Sequence, residues 1–376
     1  MANQHSVSRL GPILAWLLLL AACDHGAPFT PEVPSEPGPL APGIPARLTF
    51  SGADDRTASW LPDGSAFLYS SEELEGPADH DRCMLVMPAS GGTVSRTICE
   101  RRPGHQDSTD VFQSPVVSPG GRLLYLRAVS RIGNQKSPRM ELALATLDAP
   151  VPATVLTPVP YFASSGKTHH FVASPAWLDD DHFVYLAQYL WYQGSTFFPD
   201  TFATGLEIVH GSVSGDAATL AVVPATDAAS SVAAGDEPGT IIATFGGDSQ
   251  VYRVELATGT RTVLWDFGPA GIAREAQVAG GRLVAIVGRS VLYQFEDAHQ
   301  QFVQRDEGGD LHVVELETGA TQVFTFEETL FHRPALAPDG SRLVVEASPF
   351  APVHVGPVSE YNALNHRGDL WLITFD

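Results

Sequence analysis

The sequence is poor in charge, and poorest in positive charge. Only 17% of its 376 residues are Asp, Glu, Lys or Arg, and 22 basic residues stand against 43 acidic ones. A formal net charge of −21 argues against binding nucleic acid or an anionic membrane through surface charge. The acidity either serves solubility or attracts a basic partner. Because 44% of the residues are hydrophobic, the chain can bury a large core, which excludes a disordered protein.

Cysteine is nearly absent, with three residues in the chain. Cys83 and Cys99 lie on either side of Ser90-Gly91-Gly92, and a hairpin centred on Gly91 would place them opposite each other, within reach of a disulfide. An oxidising compartment favours this bond, and the alternative is two buried free thiols. Neither a second Cys pair nor a nearby His pair completes a ligand set, so we expect no structural metal site.

Catalytic motifs are also missing. The sequence contains no Ser-His-Asp order, glycine-rich phosphate loop or metalloprotease helix, and Gly247–Gln250 lacks the flanking glycine of a nucleophile elbow. Asp297 and Asp306 could act as an acid–base pair, but acidic loop residues are usually only solvated. We therefore predict no catalytic residues, no cofactor and no metal. The histidines considered as metal ligands belong to three different repeats: His105, His169, His170 and His332.

The first residues are typical of a targeting segment. Arg9 precedes an apolar run, Leu14–Leu20, which is too short to span a membrane as a mature helix. The run ends in Leu20-Ala21-Ala22-Cys23, which resembles a bacterial lipobox. That resemblance implies that residues 1–22 are a lipoprotein signal peptide and that Cys23 is acylated. The alternative is an ordinary secretory signal, and the choice between inner and outer membrane stays open.

Residues 23–45 contain seven prolines, which neither pair as a strand nor continue as a helix. At ~3.1 Å per residue, a polyproline tether of this length reaches roughly 60 Å. We expect a lipid-anchored tether that holds the folded domain, residues 46–376, clear of the lipid headgroups. The location is then the cell envelope, on a periplasmic or outer-surface face, with the lipid anchor as the only membrane contact.

A strand–turn–strand phrase recurs along residues 46–376. In its clearest copies, Trp60-Leu61-Pro62-Asp63-Gly64 and Ala337-Pro338-Asp339-Gly340 each lead into an apolar strand. Hairpins with a Thr-Gly turn, such as those around Gly259 and Gly319, follow in the same units. Each unit therefore has four strands, A to D, and the six units predict a β-propeller. The turn anchors are Gly64, Gly121, Asp181, Gly239, Gly281 and Gly340.

The two ends of the domain complement each other. Ala46–Phe50 reads as a D strand without A to C strands before it, and Asp369–Phe375 reads as a C strand without a D strand after it. Pairing the two would complete the last blade and remove exposed edges. We therefore predict an all-β, six-bladed propeller that is closed by its N-terminal strand.

These repeats resemble the WD40-like Pro-Asp repeats of the TolB propeller. The resemblance rests on Leu48-Thr49-Phe50 followed by Trp60–Gly64, and on Pro334–Gly340; it is strong in blades one, two, three and six, and weak in blades four and five. It implies the fold and says little about function. TolB carries an α/β domain before its propeller, whereas here a proline tether occupies that position, so the Tol-system role is not implied.

The long connections predict a binding face. The D-to-A and B-to-C connections of a propeller share one face, and here they include Gln188–Thr204, Arg289–Gly309 and Ser348–Gly368. An aromatic segment in the first of these suits an interface, or it caps blade three. We predict a monomeric binding or scaffolding module for an envelope protein, a peptide or a small ligand. The alternatives are a polysaccharide lyase or hydrolase and a purely structural component. The candidate aromatic contacts are Trp191, Tyr192, Phe197 and Phe198.

Three further candidates come from aligning the A strands at one level near the channel mouth: Arg56, Gln113 and His332. Because blades six and one are neighbours, Arg56 and His332 should approach each other. A ligand carboxylate between them is one hypothesis, and a hydrated channel with scattered polar groups is the other. The remaining blades place Ala173, Ser231 and Ala273 at this level.

Overall fold

The structure is a computed structural model, and every residue that it describes belongs to the unit Pro34–Asp376. The signal peptide, Cys23, most of the tether, Phe197 and Cys99 lie outside the described residues. In the part of the chain that is described, no helix is long and apolar enough to cross a membrane. The described ranges are 40–49, 54–72, 82–98, 110–129, 139–150, 154–156, 166–195, 198–215, 217–288, 291–297, 300–306, 309–325, 329–349, 353–354 and 368–376.

The protein is a six-bladed β-propeller, as the repeats predict. A short strand, β1 (Ala46–Arg47), precedes the first complete blade. Blade one consists of β2 (Asp54–Trp60), β3 (Ala66–Glu72), β4 (Arg82–Pro88) and β5 (Arg96–Ile98). Blade two consists of β6 (Asp110–Val117), β7 (Arg122–Val129), β8 (Arg139–Thr146) and β9 (Thr154–Val155).

The next two blades have the same four-stranded antiparallel order. Blade three consists of β10 (Gly166–Trp177), β11 (His182–Ser195), β12 (Phe198–Ser214) and β13 (Ala217–Val222). Blade four consists of β14 (Ala229–Ala234), β15 (Thr240–Phe245), β16 (Gln250–Glu255) and β17 (Arg261–Asp266). A 3-10 turn, Gly268–Ala270, leads into blade five.

Blades five and six carry additional strands in their B-to-C connections. Blade five consists of β18 (Ile272–Ala279), β19 (Arg282–Gly288), β22 (Asp310–Glu315) and β23 (Thr321–Phe324), with β20 (Val291–Asp297) and β21 (Gln300–Asp306) inserted between its second and third strands. Blade six consists of β24 (Thr329–Leu336), β25 (Arg342–Pro349), β27 (Asp369–Thr374) and β1, with β26 (Val353–His354) inserted.

The predicted turn anchors all lie between the first and second strands of their blades. Four of the anchoring glycines, Gly64, Gly121, Gly281 and Gly340, have φ values of 67°, 83°, 77° and 72°. Only glycine adopts this left-handed conformation without a steric penalty, which explains why the turns recur as Asp-Gly or Gly-Gly.

The predicted closure of the ring is confirmed. Strand β1 pairs antiparallel with β27, with Ala46 opposite Leu372. The pairing continues as the amide of Leu48 donates to the carbonyl oxygen of Leu370 at 2.8 Å. The first strand of the domain thus completes the last blade and covers its outer edge.

The core lies between the blades. The described residues form six apolar clusters, and each cluster joins two neighbouring blades. At the closure, Leu48, Trp60 and Phe67 pack against Val344 and Leu370. The indole of Trp60 also donates to the carbonyl of Ala335 at 2.7 Å, so that blade one is tied to blade six by packing and by a hydrogen bond.

Arginines at the start of three second strands connect neighbouring blades. Each follows its turn anchor by one or two residues and donates a hydrogen bond to a backbone carbonyl in the turn of the next blade. Because these carbonyls are fixed in tight turns, each contact holds two rigid elements together. The donor–acceptor pairs are Arg122–Asp180 at 3.0 Å, Arg282–Gly340 at 2.8 Å and Arg342–Gly64 at 2.9 Å.

Two connections expected to be loops contain regular strands instead. The connection Gln188–Thr204 continues β11 and β12 as a paired hairpin that ends with Ser195 opposite Phe198. The connection Arg289–Gly309 contains the hairpin β20–β21, and β20 also pairs in parallel with β26. Aromatic and β-branched residues favour extended backbone, so these segments add strands to the face that the sequence predicted to be loop-rich.

Candidate functional site

The first strands of the six blades surround a central channel with a volume of about 740 Å³. Its lining is mainly neutral: small apolar side chains alternate with hydroxyl and amide groups. Two charged side chains, Glu275 and Arg333, are among the lining residues. A cavity of this size with a few polar groups is the usual form of a small-ligand site.

A bulge with left-handed backbone recurs in five of the six channel-lining strands. The bulge residues are Thr57, Ser114, Ser174, Glu275 and Arg333, with φ values of 52°, 49°, 48°, 49° and 44°. Such a conformation costs a non-glycine residue on the order of 1 kcal/mol, and its recurrence indicates that the fold enforces it. All five side chains line the channel.

Hydrogen bonds join successive bulges around the ring. The amide of Ser114 donates to the hydroxyl of Thr57 at 3.1 Å, from blade two to blade one. The amide of Arg333 donates to Oε2 of Glu275 at 2.6 Å, from blade six to blade five. In both cases the side chain of one bulge satisfies the backbone of the next, so the ring positions its own channel residues.

The strand register places the predicted residues at one level. Arg56 lies opposite Ser70, and His332 lies opposite Glu346, each one residue before its bulge. Gln113 holds the same position in blade two. The alignment was wrong in blade five, where the equivalent residue is Arg274 and not Ala273. The reason is that the bulge residue Glu275 lies six residues before its turn anchor, Gly281, and not seven as in the other blades that have this bulge.

Arg56 and His332 are both neighbours of Glu346, a protein carboxylate in the place proposed for a ligand carboxylate. Glu346, with 1% exposure, pairs with His332 in the sheet and lies 3.7 Å from Nε of Arg56. Nε of Arg56 also donates to Asp54 at 2.6 Å. The structure therefore assigns Arg56 to an internal ion-pair network, and the ligand-carboxylate hypothesis loses its support at this position.

Arg333 is the channel residue that the sequence analysis missed. Its Nη1 donates to both carboxylate oxygens of Glu346, at 3.1 and 2.9 Å, yet the side chain remains 42% exposed to the channel. The negative charge of Glu346 raises the pKa of Arg333 further, so the guanidinium stays charged. One feature of the sequence could have indicated it: the channel residue directly precedes a proline in the first strand of its blade, as in Ser114-Pro115 and Arg333-Pro334.

Buried carboxylates surround this network. Burial acts to raise the pKa of Glu346, but the charges of Arg333 and Arg56 outweigh it and hold that pKa below its usual value. Burial raises the pKa of Asp54, despite Arg56, and raises the pKa of Asp369 to about 6. Asp369 is paired with Arg47 at 2.8 Å, so that the closure strand also carries an ion pair.

Three of the aromatic candidates belong to the strands of the extended hairpin. Trp191 pairs with Ala203, and Tyr192 pairs with Thr201, across a bulge in β12. Phe198 is the first residue of β12, and Phe197 lies outside the described residues. The channel and the hairpin are two candidate regions.

The two acidic residues considered as an acid–base pair are placed far apart in the β20–β21 ladder. Asp297 pairs with Gln300 next to the turn, whereas Asp306 pairs with Val291 at the other end of the hairpin. The antiparallel register holds the two residues at opposite ends of the hairpin, which argues against a pair formed by Asp297 and Asp306. Glu296 and Glu307 were considered beside them, and Glu307 lies outside the described residues. Within the described ranges, no three His, Cys, Asp or Glu residues group as a metal site. His105 lies outside those ranges.

The hairpin register around Gly91 follows the prediction. Met84 lies opposite Ile98, and Val86 opposite Arg96, which centres the turn on Gly91. The sequence prediction puts Cys83 and Cys99 at the next pair of this register. Cys99 lies outside the described residues, so the disulfide stays a prediction.

Comparisons with known proteins agree with the fold. Solved structures similar to this chain include TolB from Acinetobacter baumannii, at 12% identity and a TM-score of 0.46 over 84% of this chain and 62% of that one. They also include a putative TolB from Agrobacterium tumefaciens, at 12% identity and a TM-score of 0.43 over 86% and 90%. An oligogalacturonate lyase in complex with manganese matches at 12% and 0.47 over 91% and 96%. The expected likeness to TolB propellers is confirmed, and it concerns the fold alone.

No protein-family model matches the chain, and no curated protein matches it.

Proposed function

We propose that the protein is a lipid-anchored, extracytoplasmic binding module that takes an envelope protein or peptide on the face formed by its B-to-C connections. The observation that carries this proposal is the extra strands on that face. Blade three extends β11 and β12 as a hairpin, and blades five and six add the three-stranded sheet β21–β20–β26. The turns on the opposite face are short, so surface suited to a partner is concentrated on one side.

The charges near the channel mouth support binding over chemistry. Arg56 is engaged by Asp54, and Glu346 is engaged by Arg333. Glu346, which is held by a fixed arginine, is a poor general acid or base, because its pKa is held below its usual value. We therefore propose no catalytic residue, and we propose a monomer held to the membrane through acylated Cys23.

One observation supports the alternative that the protein is an enzyme. Asp369 has a pKa raised to about 6, and Asp54, also with a raised pKa, lies in the same buried network. Two carboxylates with raised pKa values near a channel can support acid–base chemistry on a polysaccharide. The test is incubation with neutral and acidic polysaccharides, followed by measurement of new reducing ends. If new reducing ends form with the wild type, and both Asp54→Asn and Asp369→Asn abolish their formation, the enzyme alternative would replace the binding proposal.

Affinity capture from envelope extract tests the partner surface. The triple variant Trp191→Ala/Tyr192→Ala/Phe198→Ala alters the hairpin. A matched triple variant changes exposed apolar residues on outer strands, Leu220→Ala/Val263→Ala/Val323→Ala, whose exposures are 38%, 49% and 48%. We expect the first variant to lose a specific captured protein that the wild type and the second variant retain. Equal capture by all three proteins would contradict the proposed role of the hairpin.

Metabolic labelling tests the anchor. Cells that express the wild type and Cys23→Ala are grown with a labelled fatty acid, and the label in the purified protein is measured. Label in the wild type and its absence in Cys23→Ala support the lipoprotein assignment. An unlabelled wild type, cleaved at another position, would favour an ordinary secretory signal.

A further inference from the structure

Arg333 and Glu275 present opposite charges to the same cavity, and their side chains form no ion pair with each other in the described part of the chain. The guanidinium of Arg333 bonds to Glu346 through Nη1, and within the described part of the chain Nε and Nη2 have no partner. Oε2 of Glu275 accepts the amide of Arg333, and Oε1 has no partner among the same residues. No ion pair between these two side chains occurs in the described structure.

The backbone holds the two side chains in place. Both residues occupy the recurring left-handed bulge, and Arg333 is followed by Pro334, which restricts the chain further. The contact with fully buried Glu346 fixes one edge of the guanidinium. A positioned arginine with a free edge is suited to a second, bidentate carboxylate.

The other hydrogen-bonding side chains of the channel lining are uncharged. The volume of about 740 Å³ accommodates an amino acid or a short peptide. Hydroxyl and amide groups can satisfy the polar atoms of such a ligand at little desolvation cost. They come from the four other blades: Thr57, Gln113, Ser114, Ser174 and Ser231.

We propose that the channel binds a small zwitterion, whose carboxylate contacts Arg333 and whose ammonium group contacts Glu275. A ligand with only a negative charge would be repelled by Glu275 and would leave that carboxylate unpaired. A ligand with only a positive charge would be repelled by Arg333. A ligand that carries both charges pairs both groups, which explains why the protein presents them together. This site is separate from the hairpin surface and does not rest on the proposed function.

Calorimetric titration of the purified domain tests the ligand class. The probes are glycine, glycylglycine and triglycine, which carry the same two charges at increasing separation. Their N-acetylated and C-amidated forms each lack one charge. We expect at least one zwitterion to bind, and its two capped forms to bind roughly tenfold to a hundredfold more weakly. Absence of binding by all three zwitterions, or equal binding by the capped forms, would overturn the proposal.

The variant Glu275→Gln tests whether Glu275 contacts the ammonium group of the ligand. Its amide oxygen can still accept the amide of Arg333, so the bulge is retained while the charge is lost. We expect the variant to bind the best zwitterion roughly tenfold or more weakly, and to bind the N-acetylated form at least as well as the wild type does. Unchanged zwitterion affinity in Glu275→Gln would contradict the assignment.

The variant Arg333→Lys tests whether Arg333 contacts the carboxylate of the ligand. A lysine keeps a positive charge beside Glu346 but lacks the planar guanidinium group that can donate two parallel hydrogen bonds. We expect weaker binding of the zwitterion and of its N-acetylated form. The matched control is Arg253→Gln, which removes a guanidinium from blade four that pairs with Asp236 outside the channel lining. The control should bind as the wild type does, and an equal loss in both variants would count against a channel site. If Arg333→Lys does not fold, Glu275→Gln still decides the proposal.

Discussion

The amide of Leu48 donates a hydrogen bond of 2.8 Å to the carbonyl oxygen of Leu370, although the two residues belong to opposite ends of the folded domain. The side chains of both are buried in the cluster between blades six and one. The N-terminal strand therefore contributes to the core as well as to the sheet, and the ring depends on it.

Leu48→Ala should weaken this closure. Leu48 is 3% exposed, and truncation of a buried leucine costs about 2–4 kcal/mol because a cavity remains. Denaturant unfolding of the purified domain measures the change. The control is Leu40→Ala, at a leucine with 37% exposure, for which we expect less than about 0.5 kcal/mol. Equal stability of the two variants would show that the N-terminal strand does not hold the ring closed.

Arg342→Gln should loosen the contact between blades six and one. Arg342 donates to the carbonyl of Gly64 at 2.9 Å, and its guanidinium lies 4.9 Å from the ring centre of Trp60. Loss of both interactions should lower the free energy of unfolding by about 1–2 kcal/mol. The comparison variant is Arg96→Gln, whose donor contacts an exposed carbonyl at 3.4 Å. A loss in Arg342→Gln no larger than that in Arg96→Gln would argue against a role in joining the blades.

Stability should depend on pH through Asp369. Its pKa is raised from its ordinary value of 3.8 to about 6 in the folded protein, mainly by burial and against the influence of Arg47. The folded state therefore holds this proton more tightly, so the contribution to stability is fully present below pH 3.8 and is lost as the pH rises through about 6. Between pH 5 and 7.5 the loss should be about 1 kcal/mol.

Asp369→Asn isolates this effect, since an amide does not titrate. Asp54, with a raised pKa, and Glu346, with a lowered one, contribute in opposite directions and remain in the variant. As the pH rises from 5 to 7.5, the wild type should therefore lose unfolding free energy relative to the variant. A difference that is constant over this interval would show that Asp369 does not titrate there.

Features that local sequence determines were predictable, and those that depend on bulges were not. The turn anchors, such as Gly64 and Gly340, follow from glycine's conformational freedom, and the closure follows from two incomplete sets of strands. The placement of Ala273 failed by one residue because the segment between the bulge and the turn anchor is one residue shorter in blade five, which an alignment on the turn anchors does not show. Arg333 was missed because a bulge is invisible in a strand alignment: the bulge places the residue after His332 in the channel lining.

The aromatic segment shows a different limit. Its aromatics indicated an interface or a cap, but the pattern of Leu190–Phe202 did not distinguish a loop from a continued ladder. Strand extension depends on cross-strand partners such as Ala203 and Thr201, which lie on the other side of the turn. Such pairing is a long-range property that a linear pattern only partly encodes.

Cys83 and Cys99 should form a disulfide in the exported protein. Met84 lies opposite Ile98, so the two cysteines would form the next pair of this register. A disulfide that closes a loop of this length contributes about 3 kcal/mol in the chain-entropy model. Intact-mass measurement after alkylation without reductant should show neither thiol modified, and a reductant should lower the melting temperature. Cys83→Ser/Cys99→Ser should melt at the lower temperature with or without reductant. Alkylation of both thiols would instead indicate two free cysteines, which would remove the covalent constraint from the outer hairpin of blade one.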